Sequence, residues 1–462
     1  MELYGELYRR ALFPLWDRGV KRRSTVDHLR FLERSQWRSS SEIAAFQAAE
    51  LRRLLHHAYV NVPFYRDRFD AAGVRPADIV TAAELEALPL LSRGEAQESG
   101  AQRRSLAPPH PWITKRTSGS TGQPLEFVYD AASEWWRQAV RMRGYGWAGY
   151  QQGDRTLHYW SDPPRRASKK AWRRAKHRIW VAVDRGFRHE VYVDSAVRSE
   201  ERLAHAVEVI RRKRPTTIVC YAQGGAELAR YIVATGARTW GDVPVLCGAE
   251  PLLAGDRAAL EQAFGPAVFE TYGNREVMLM ATECEAHEGM HVQSENLVVE
   301  VVVHDPVTGA ARAARAGEVG EVVVTDLHNL AMPFVRYVTG DLATAADGTA
   351  CACGRGLPRI VSVEGRTSDT LTDGLGRKVS GIALMTLFVD LAPAVRQYQA
   401  VQRRDRSLTL RLVPTPAFDG SAPARIHRHC NHYLPGVPVT IELVKAIEPA
   451  AGGKRRFILV ED

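Results

Sequence analysis

The sequence predicts an α/β protein: a large N-terminal α/β body with parallel sheets and a β-subdomain, followed by a small α+β C-terminal domain. Three observations predict it. Between residues 200 and 272, short apolar runs alternate with helical patterns, the arrangement that gives a parallel sheet covered by helices. From Leu297 the pattern becomes β-rich with polar turns. Beyond Gly365-Arg366 the chain carries its own hairpin, helix and alternating strands, over about a hundred residues, enough for a small independent domain. At 462 residues the chain is too long for one ordinary domain. The expected division is a body of residues 1–364 and a tail of residues 365–462.

The N-terminal stretch Met1–Trp37 is charged and interrupted by Pro14. Its apolar run Ala11–Trp16 is too short for a signal core or a membrane span, and no other segment approaches a spanning length. Ser39-Ser40-Ser41-Glu42 reads as a capping box. Ile43, Phe46, Leu51, Leu54 and Leu55 give the helix behind it an apolar stripe. Val60–Tyr65 is expected to be extended, set by Pro63. Leu203, Val207 and Ile210 mark an amphipathic helix that stops at Arg214-Pro215. Thr217–Tyr221, Val243–Cys247 and Val268–Tyr272 are apolar strands with helical patterns between them. Leu297–Val303 and Gly320–Thr325 build the β-subdomain. In the tail, a hairpin is expected around Asp373-Gly374 and a helix from about Ile382. One strand carries Leu408, Leu410 and Leu412, and another Val439, Ile441 and Leu443.

The apolar and charged fractions, 45% and 25%, are those of a globular protein that forms a large core without staples. A net charge of +9 is a mild bias for this length and says little about fold. Six cysteines without a signal peptide point to a reducing cytoplasm. Cys220, Cys247 and Cys430 fall in predicted strand or helix and read as core thiols.

The most informative segment is Arg116-Thr117-Ser118-Gly119-Ser120-Thr121-Gly122-Gln123-Pro124. Hydroxyls without bulk, set between glycines, let N–H groups converge into a nest for a polyphosphate. It is not the Walker loop, which ends in Gly-Lys-Ser/Thr. Activating a carboxylic acid with ATP requires such a cradle, a carboxylate for Mg²⁺ and a second carboxylate for the ribose. It also requires a mobile cation as carboxylate oxygen attacks the α-phosphate. The chain offers a candidate for each, on loops just after predicted strands, where open α/β sheets bind ligands.

Five further segments follow in order: Gly248-Ala249-Glu250-Pro251, Tyr272-Gly273-Asn274-Arg275-Glu276, Tyr337-Val338-Thr339-Gly340-Asp341, Gly365-Arg366-Thr367-Ser368-Asp369 and Gly452-Gly453-Lys454. Together the six resemble the motifs of the adenylate-forming superfamily, and within it the phenylacetate–CoA ligase/CapK branch, over nearly the whole chain. The resemblance implies an ATP-dependent ligase. It would turn a carboxylic acid, aryl or related, into an acyl-adenylate with release of pyrophosphate. The acyl group would then pass to CoA, a carrier protein, an amine or a sugar hydroxyl.

The same resemblance assigns the phosphate loop to Thr117, Ser118, Gly119, Ser120, Thr121 and Gly122, and the adenine-side strand end to Gly248, Ala249 and Glu250. Tyr272, followed by Gly273, would lay its ring against adenine. Glu276 would hold Mg²⁺ through carboxylate oxygen. Asp341 would accept hydrogen bonds from the ribose hydroxyls. Arg366 would approach ribose or phosphate from the domain junction. Lys454 would enter the site only in the adenylating orientation, after which the tail rotates about a hinge near Asp369. The segment Thr372–Ser380 departs from phenylacetate–CoA ligases and is closer to the CapK subgroup. Relatives contact the acceptor there, so the acceptor stays open. Tyr159-Trp160 and Gln223-Gly224-Gly225 are candidate pocket walls.

Cys284, His287, His291, Cys351 and Cys353 supply the thiolates and imidazoles that suit structural zinc. Either histidine completes a set of four; the branch's Gly-x-His pattern favours His291, in Gly289-Met290-His291. Four protein ligands leave no open position, so such a zinc would be structural and would pin the β-subdomain to the body. Arg165, Arg166, Lys169, Lys170, Arg173, Arg174, Lys176 and Arg178 cluster around Trp172. They form either a solvated helix face or a surface for an anionic partner such as CoA, a carrier, a glycan or a membrane face. No nucleic-acid motif accompanies them. A competing reading makes the chain a catalytically silent, zinc-stabilised protein that binds a polyanion or a carrier.

Overall fold

The computed structural model describes residues 3–117, 125–160, 181, 183–195, 199–305, 310–366, 370–376, 378–380, 384, 391, 394–448 and 458–461. Strands in the first half are β1 (Trp112–Arg116), β2 (Glu126–Asp130), β3 (Thr156–Tyr159), β4 (Glu190–Val193), β5 (Thr217–Tyr221), β6 (Val245–Gly248) and β7 (Val268–Asn274). Then come β8 (Met278–Glu283), β9 (Met290–Val292), β10 (Leu297–His304), β11 (Ala311–Ala313), β12 (Val319–Asp326), β13 (Tyr337–Ala345) and β14 (Arg359–Arg366). The tail carries β15 (Thr370–Thr372), β16 (Lys378–Ser380), β17 (Val395–Gln402), β18 (Leu408–Pro414), β19 (Val439–Leu443) and β20 (Ile458–Val460).

Twelve strands share one sheet, in the order β11-β10-β12-β13-β14-β9-β8-β7-β6-β5-β3-β4. From β4 to β7 the neighbours are parallel. Strands β3, β5 and β6 are buried at every position, as expected of strands covered on both faces. The helices Glu200–Lys213, Ala222–Thr235 and Ala254–Phe264 contribute Val207, Ile210, Leu228, Ile232, Leu260 and Phe264 to one core with Ile218 and Val245. The tight β7–β8 hairpin reverses the chain, and from there the pairing is antiparallel. The predicted β-subdomain is therefore a continuation of the body's own sheet, because β9 and β14 bridge it to β8. The ribbon β1–β2 stands apart from this sheet.

Ser39 caps the helix Ser40–Asn61: its hydroxyl accepts from the Glu42 N–H, and its own N–H donates to the Glu42 carboxylate at 2.9 Å. The extended segment expected over Val60–Tyr65 shrinks to Val62, with φ −125° and ψ 102°. Pro63 opens the helix Pro63–Ala72. A proline at the first helical position has no N–H to lose, so its restriction falls on the preceding residue alone. The helix Ala131–Gly146 is held to the sheet by two buried ion pairs. Arg143 meets both oxygens of Glu295, at 2.6 and 2.9 Å, and Arg137 meets Asp326 at 2.6 Å. Such pairs add little net stability but are costly to break one-sidedly.

In the tail, β15 and β16 form the expected hairpin, and β19-β18-β17-β20 form a four-stranded sheet. Leu408, Leu410 and Leu412 pack on Ile426 and Cys430 of the helix Ala422–Tyr433, with Leu253 of the body against the same core. Of the helix expected from Ile382, Leu384 is described, helical and buried in this core, and its neighbours lie outside the described residues. The expected boundary at 364/365 falls within β14. Cys220, Cys247 and Cys430 are buried. Among the described residues, no helix is long and apolar enough to cross a membrane.

Candidate active site

The parallel strands end side by side, and the register aligns their carboxyl ends: Tyr221 opposite Gly248, and Gly248 opposite Thr271. A Cβ at Gly248 would lie 2.6 Å from the Thr271 hydroxyl and 3.8 Å from the Trp160 ring, so only glycine lets the neighbours approach. Ala249 follows with φ +66°, a left-handed conformation that turns the chain sharply and strains a non-glycine residue by about 1–2 kcal/mol. That turn buries Glu250, whose carboxylate accepts from the Gln223 N–H at 3.2 Å. Glu250 thus caps the helix Ala222–Thr235, whose own preceding residue, Tyr221, supplies no side-chain cap. The Trp160 and Tyr221 rings stack at 4.0 Å. Beside them the Gln223 side-chain nitrogen is buried without a hydrogen-bond partner among the described residues.

The β7–β8 hairpin carries the next two candidates. Gly273 is obligatory: an added Cβ would sit 2.0 Å from the Met278 carbonyl, beside a shift in the ladder register. Asn274 Oδ1 accepts from the Val277 N–H at 3.0 Å, tightening the turn and lifting Glu276 to its tip. Gly273→Ala is expected to destabilise the protein by about 2–3 kcal/mol, the usual scale for overpacking, seen as a lower melting temperature. An unchanged melting temperature would show that the hairpin tolerates a side chain there.

Strand β13 faces this hairpin, and the two segments exchange hydrogen bonds. The Tyr272 hydroxyl donates to Asp341 Oδ2 at 2.9 Å, and the Tyr337 hydroxyl donates to Glu276 Oε1 at 3.2 Å. Each segment contributes a tyrosine and, four residues on, a carboxylate. All four residues are buried. Burial and the Glu276 charge push the Tyr337 phenol well above its usual range, so it stays a donor. Glu276 Oε1 also accepts from Arg93 Nη1 at 3.2 Å, and Arg93 Nη2 donates to the Thr117 hydroxyl at 2.9 Å. Thr117 in turn closes the base of its loop. Its N–H donates to the Leu125 carbonyl at 3.0 Å, and its hydroxyl accepts from the Leu125 N–H at 2.9 Å.

The structure therefore brings Thr117, Tyr272, Gly273, Glu276 and Asp341 into one cluster, with Gly248, Ala249 and Glu250 on the adjoining strand end. Ser118, Gly119, Ser120, Thr121, Gly122 and Lys454 lie outside the described residues, as do the hinge residues 367–369 and the basic stretch 165–178. For Arg366 only the backbone is described, opposite Asp341 in the ladder. Sequence reasoning missed Arg93. Its signal was the Ser92-x-x-Glu95 capping box, which places Arg93 at the first position of the helix Arg93–Glu98.

A second cluster lies where β8 and β9 meet the loop before β14. One ligand atom from each of Cys284, His291, Cys351 and Cys353 lies within 4.8 Å of the others. The Cys284 and Cys351 sulfurs are 3.7 Å apart, and His291 Nε2 is 3.2 Å from the Cys353 sulfur. His291 Nδ1 lies 3.0 Å from the Leu357 carbonyl, the partner that fixes Nδ1–H and leaves Nε2 free for a metal. Burial lowers the His291 pKa to about 4, so the ring is neutral near pH 7. His287 is not part of the group; its ring packs near Phe269 and lies 3.5 Å from Glu283. Three thiols and an imidazole at this spacing suit tetrahedral zinc.

No family model matches the chain. It is 27% identical over 342 residues to a phenylacetate–coenzyme A ligase of Pseudomonas putida, covering 70% of this chain and 71% of the relative. It is 28% identical over 379 residues to the phenylacetate–coenzyme A ligase of Thermus thermophilus, covering 79% and 80%. Among solved structures, it superposes on 2-hydroxyisobutyryl-CoA ligase in the postadenylation state with TM-score 0.72 and 19% identity, over 93% of this chain and 92% of that one.

Proposed function

We propose that this chain, a member of the adenylate-forming superfamily allied to the phenylacetate–coenzyme A ligases, activates a carboxylic acid with ATP as the acyl-adenylate, releases pyrophosphate and passes the acyl group to CoA. The observation that carries this reading is the exchange of phenol–carboxylate bonds between the β7–β8 hairpin and β13. It fixes two buried carboxylates beside the end of β7, one linked through Arg93 to the base of the hydroxyl-rich loop. A protein that only bound a polyanion has no use for that arrangement.

Asp341, oriented by Tyr272, accepts from the ribose hydroxyls. Tyr272 presents its ring on the adenine side, and the strand end at Gly248 admits the base. Glu276 faces the base of the phosphate loop through Arg93. Its carboxylate and the Thr117 hydroxyl are the hard oxygen donors that suit magnesium. When bound there, the ion would supply positive charge to offset the negative charge that grows as a carboxylate oxygen attacks the α-phosphorus and pyrophosphate leaves. Trp160, Tyr221 and Gln223 wall the acid side, which favours an aryl or related acid. The tail beyond the hinge near Asp369 swings to bring Lys454 to the reacting oxygens and then to admit CoA. Zinc held by Cys284, His291, Cys351 and Cys353 is structural.

The test is carboxylate-dependent exchange of labelled pyrophosphate into ATP across a panel of aryl and alkyl acids. Exchange with at least one acid is expected. Lys454→Ala slows it about a hundredfold, the scale for losing one charge-stabilising group. A parental rate in that variant would remove the lysine from the mechanism, and no exchange by the wild type with any acid would sink the function itself.

A further inference from the structure

Glu276 is buried, and a buried carboxylate needs a counter-charge. The counter-charge is Arg93, whose side chain is one-third exposed and whose fork reaches two functional residues on different segments, Glu276 and Thr117. The capping box of Ser92 and Glu95 holds the backbone of Arg93 in place, so the bridge is set by the fold. A divalent cation on Glu276 and a guanidinium on the same oxygen repel each other. That repulsion weakens the Arg93 contact when a metal is bound, and a released guanidinium has the anionic phosphates of the nucleotide as its natural partner.

Resting on the adenylation reading above, we propose that Arg93 is a nucleotide-handling residue. With no nucleotide bound, it occupies Glu276 in place of the metal and keeps Thr117 and Glu276 in register. When metal and nucleotide arrive, it yields Glu276 and pairs with the triphosphate. The proposal predicts changes of opposite sign on removing the side chain. Without its competitor, Glu276 binds magnesium better, whereas ATP loses a cationic contact and binds worse. A residue that merely supported the fold would weaken both.

The test uses the full-length protein and its Arg93→Ala and Arg93→Lys variants. Calorimetric titration with MgCl₂ alone, and with ATP in excess MgCl₂, reads the two affinities without turnover. In Arg93→Ala, magnesium alone is expected to bind about threefold or more tighter and MgATP about tenfold or more weaker, the scale for one charge-assisted contact. In pyrophosphate exchange, KM for MgATP rises by a similar factor while KM for the acid changes less than about twofold. Arg93→Lys keeps the charge without the fork and is expected to recover most of the MgATP affinity; it also serves as the readout if the alanine variant does not fold. Unchanged MgATP affinity in Arg93→Ala, a parallel loss of both affinities, or a lysine variant as weak as alanine would overturn the assignment while leaving the adenylation reading intact. A wild-type protein that binds no MgATP would overturn both.

Discussion

Glu276→Gln is expected to slow acid-dependent pyrophosphate exchange by about 10²–10³-fold, equivalent to about 3–4 kcal/mol of lost transition-state stabilisation. The change is nearly isosteric. The amide oxygen still accepts from the Tyr337 hydroxyl, now 3.2 Å from the carboxylate, so the link between hairpin and β13 persists and the melting temperature moves little. What disappears is the negative charge at the hairpin tip beside Thr117, the feature that suits a divalent cation. The loss is expected in the response to magnesium as well as in the maximal rate, because extra metal cannot restore a missing ligand charge. Exchange within about threefold of the parent would take Glu276 out of the machinery.

Freshly purified protein is expected to contain one zinc per chain. Removing it with a strong chelator, or substituting Cys351→Ser, is expected to lower the melting temperature by several degrees, taking several kcal/mol as the contribution of a structural site and about 1 °C per kcal/mol for a chain of 462 residues. The four donors come from the residue just after β8, from β9 and from the loop before β14. Their loss therefore loosens the junction that carries the antiparallel strands on to the parallel ones. The control is His287→Ala. Its ring faces Glu283 and Phe269 rather than the thiols, so metal content and melting temperature should hold. Zinc absent from unchelated protein, or retained undiminished after Cys351→Ser, would remove the metal from the account.

Much of this site lies in motifs that the sequence displays. Each motif is local: Gly273 is demanded by its own hairpin, and each Tyr-x-x-x-carboxylate spacing spans five consecutive residues. The Ser39–Glu42 capping box was equally plain, because all its partners lie within four residues. The reading failed at Val60–Tyr65, where proline signals both the end of one helix and the start of the next. It also set the β-rich region apart, because the pairing of β9 with β14 joins Arg359 to His291, some seventy residues away, and leaves no local trace. The pairs Arg143–Glu295 and Arg137–Asp326 were invisible for the same reason.

By itself, the order of residues determined the α/β class, the parallel strands β5, β6 and β7, the tail strands β18 and β19, and the inventory of hydroxyls, carboxylates and thiols, since periodicity and short-range sterics act within a few residues. Only the folded chain decided which members of that inventory meet. It crossed Tyr272 with Asp341 and Tyr337 with Glu276, set Arg93 between Glu276 and Thr117, and gathered His291 rather than His287 to the cysteines. Those choices depend on sheet register and burial across distant segments, where a shift of one residue turns a side chain to the opposite face.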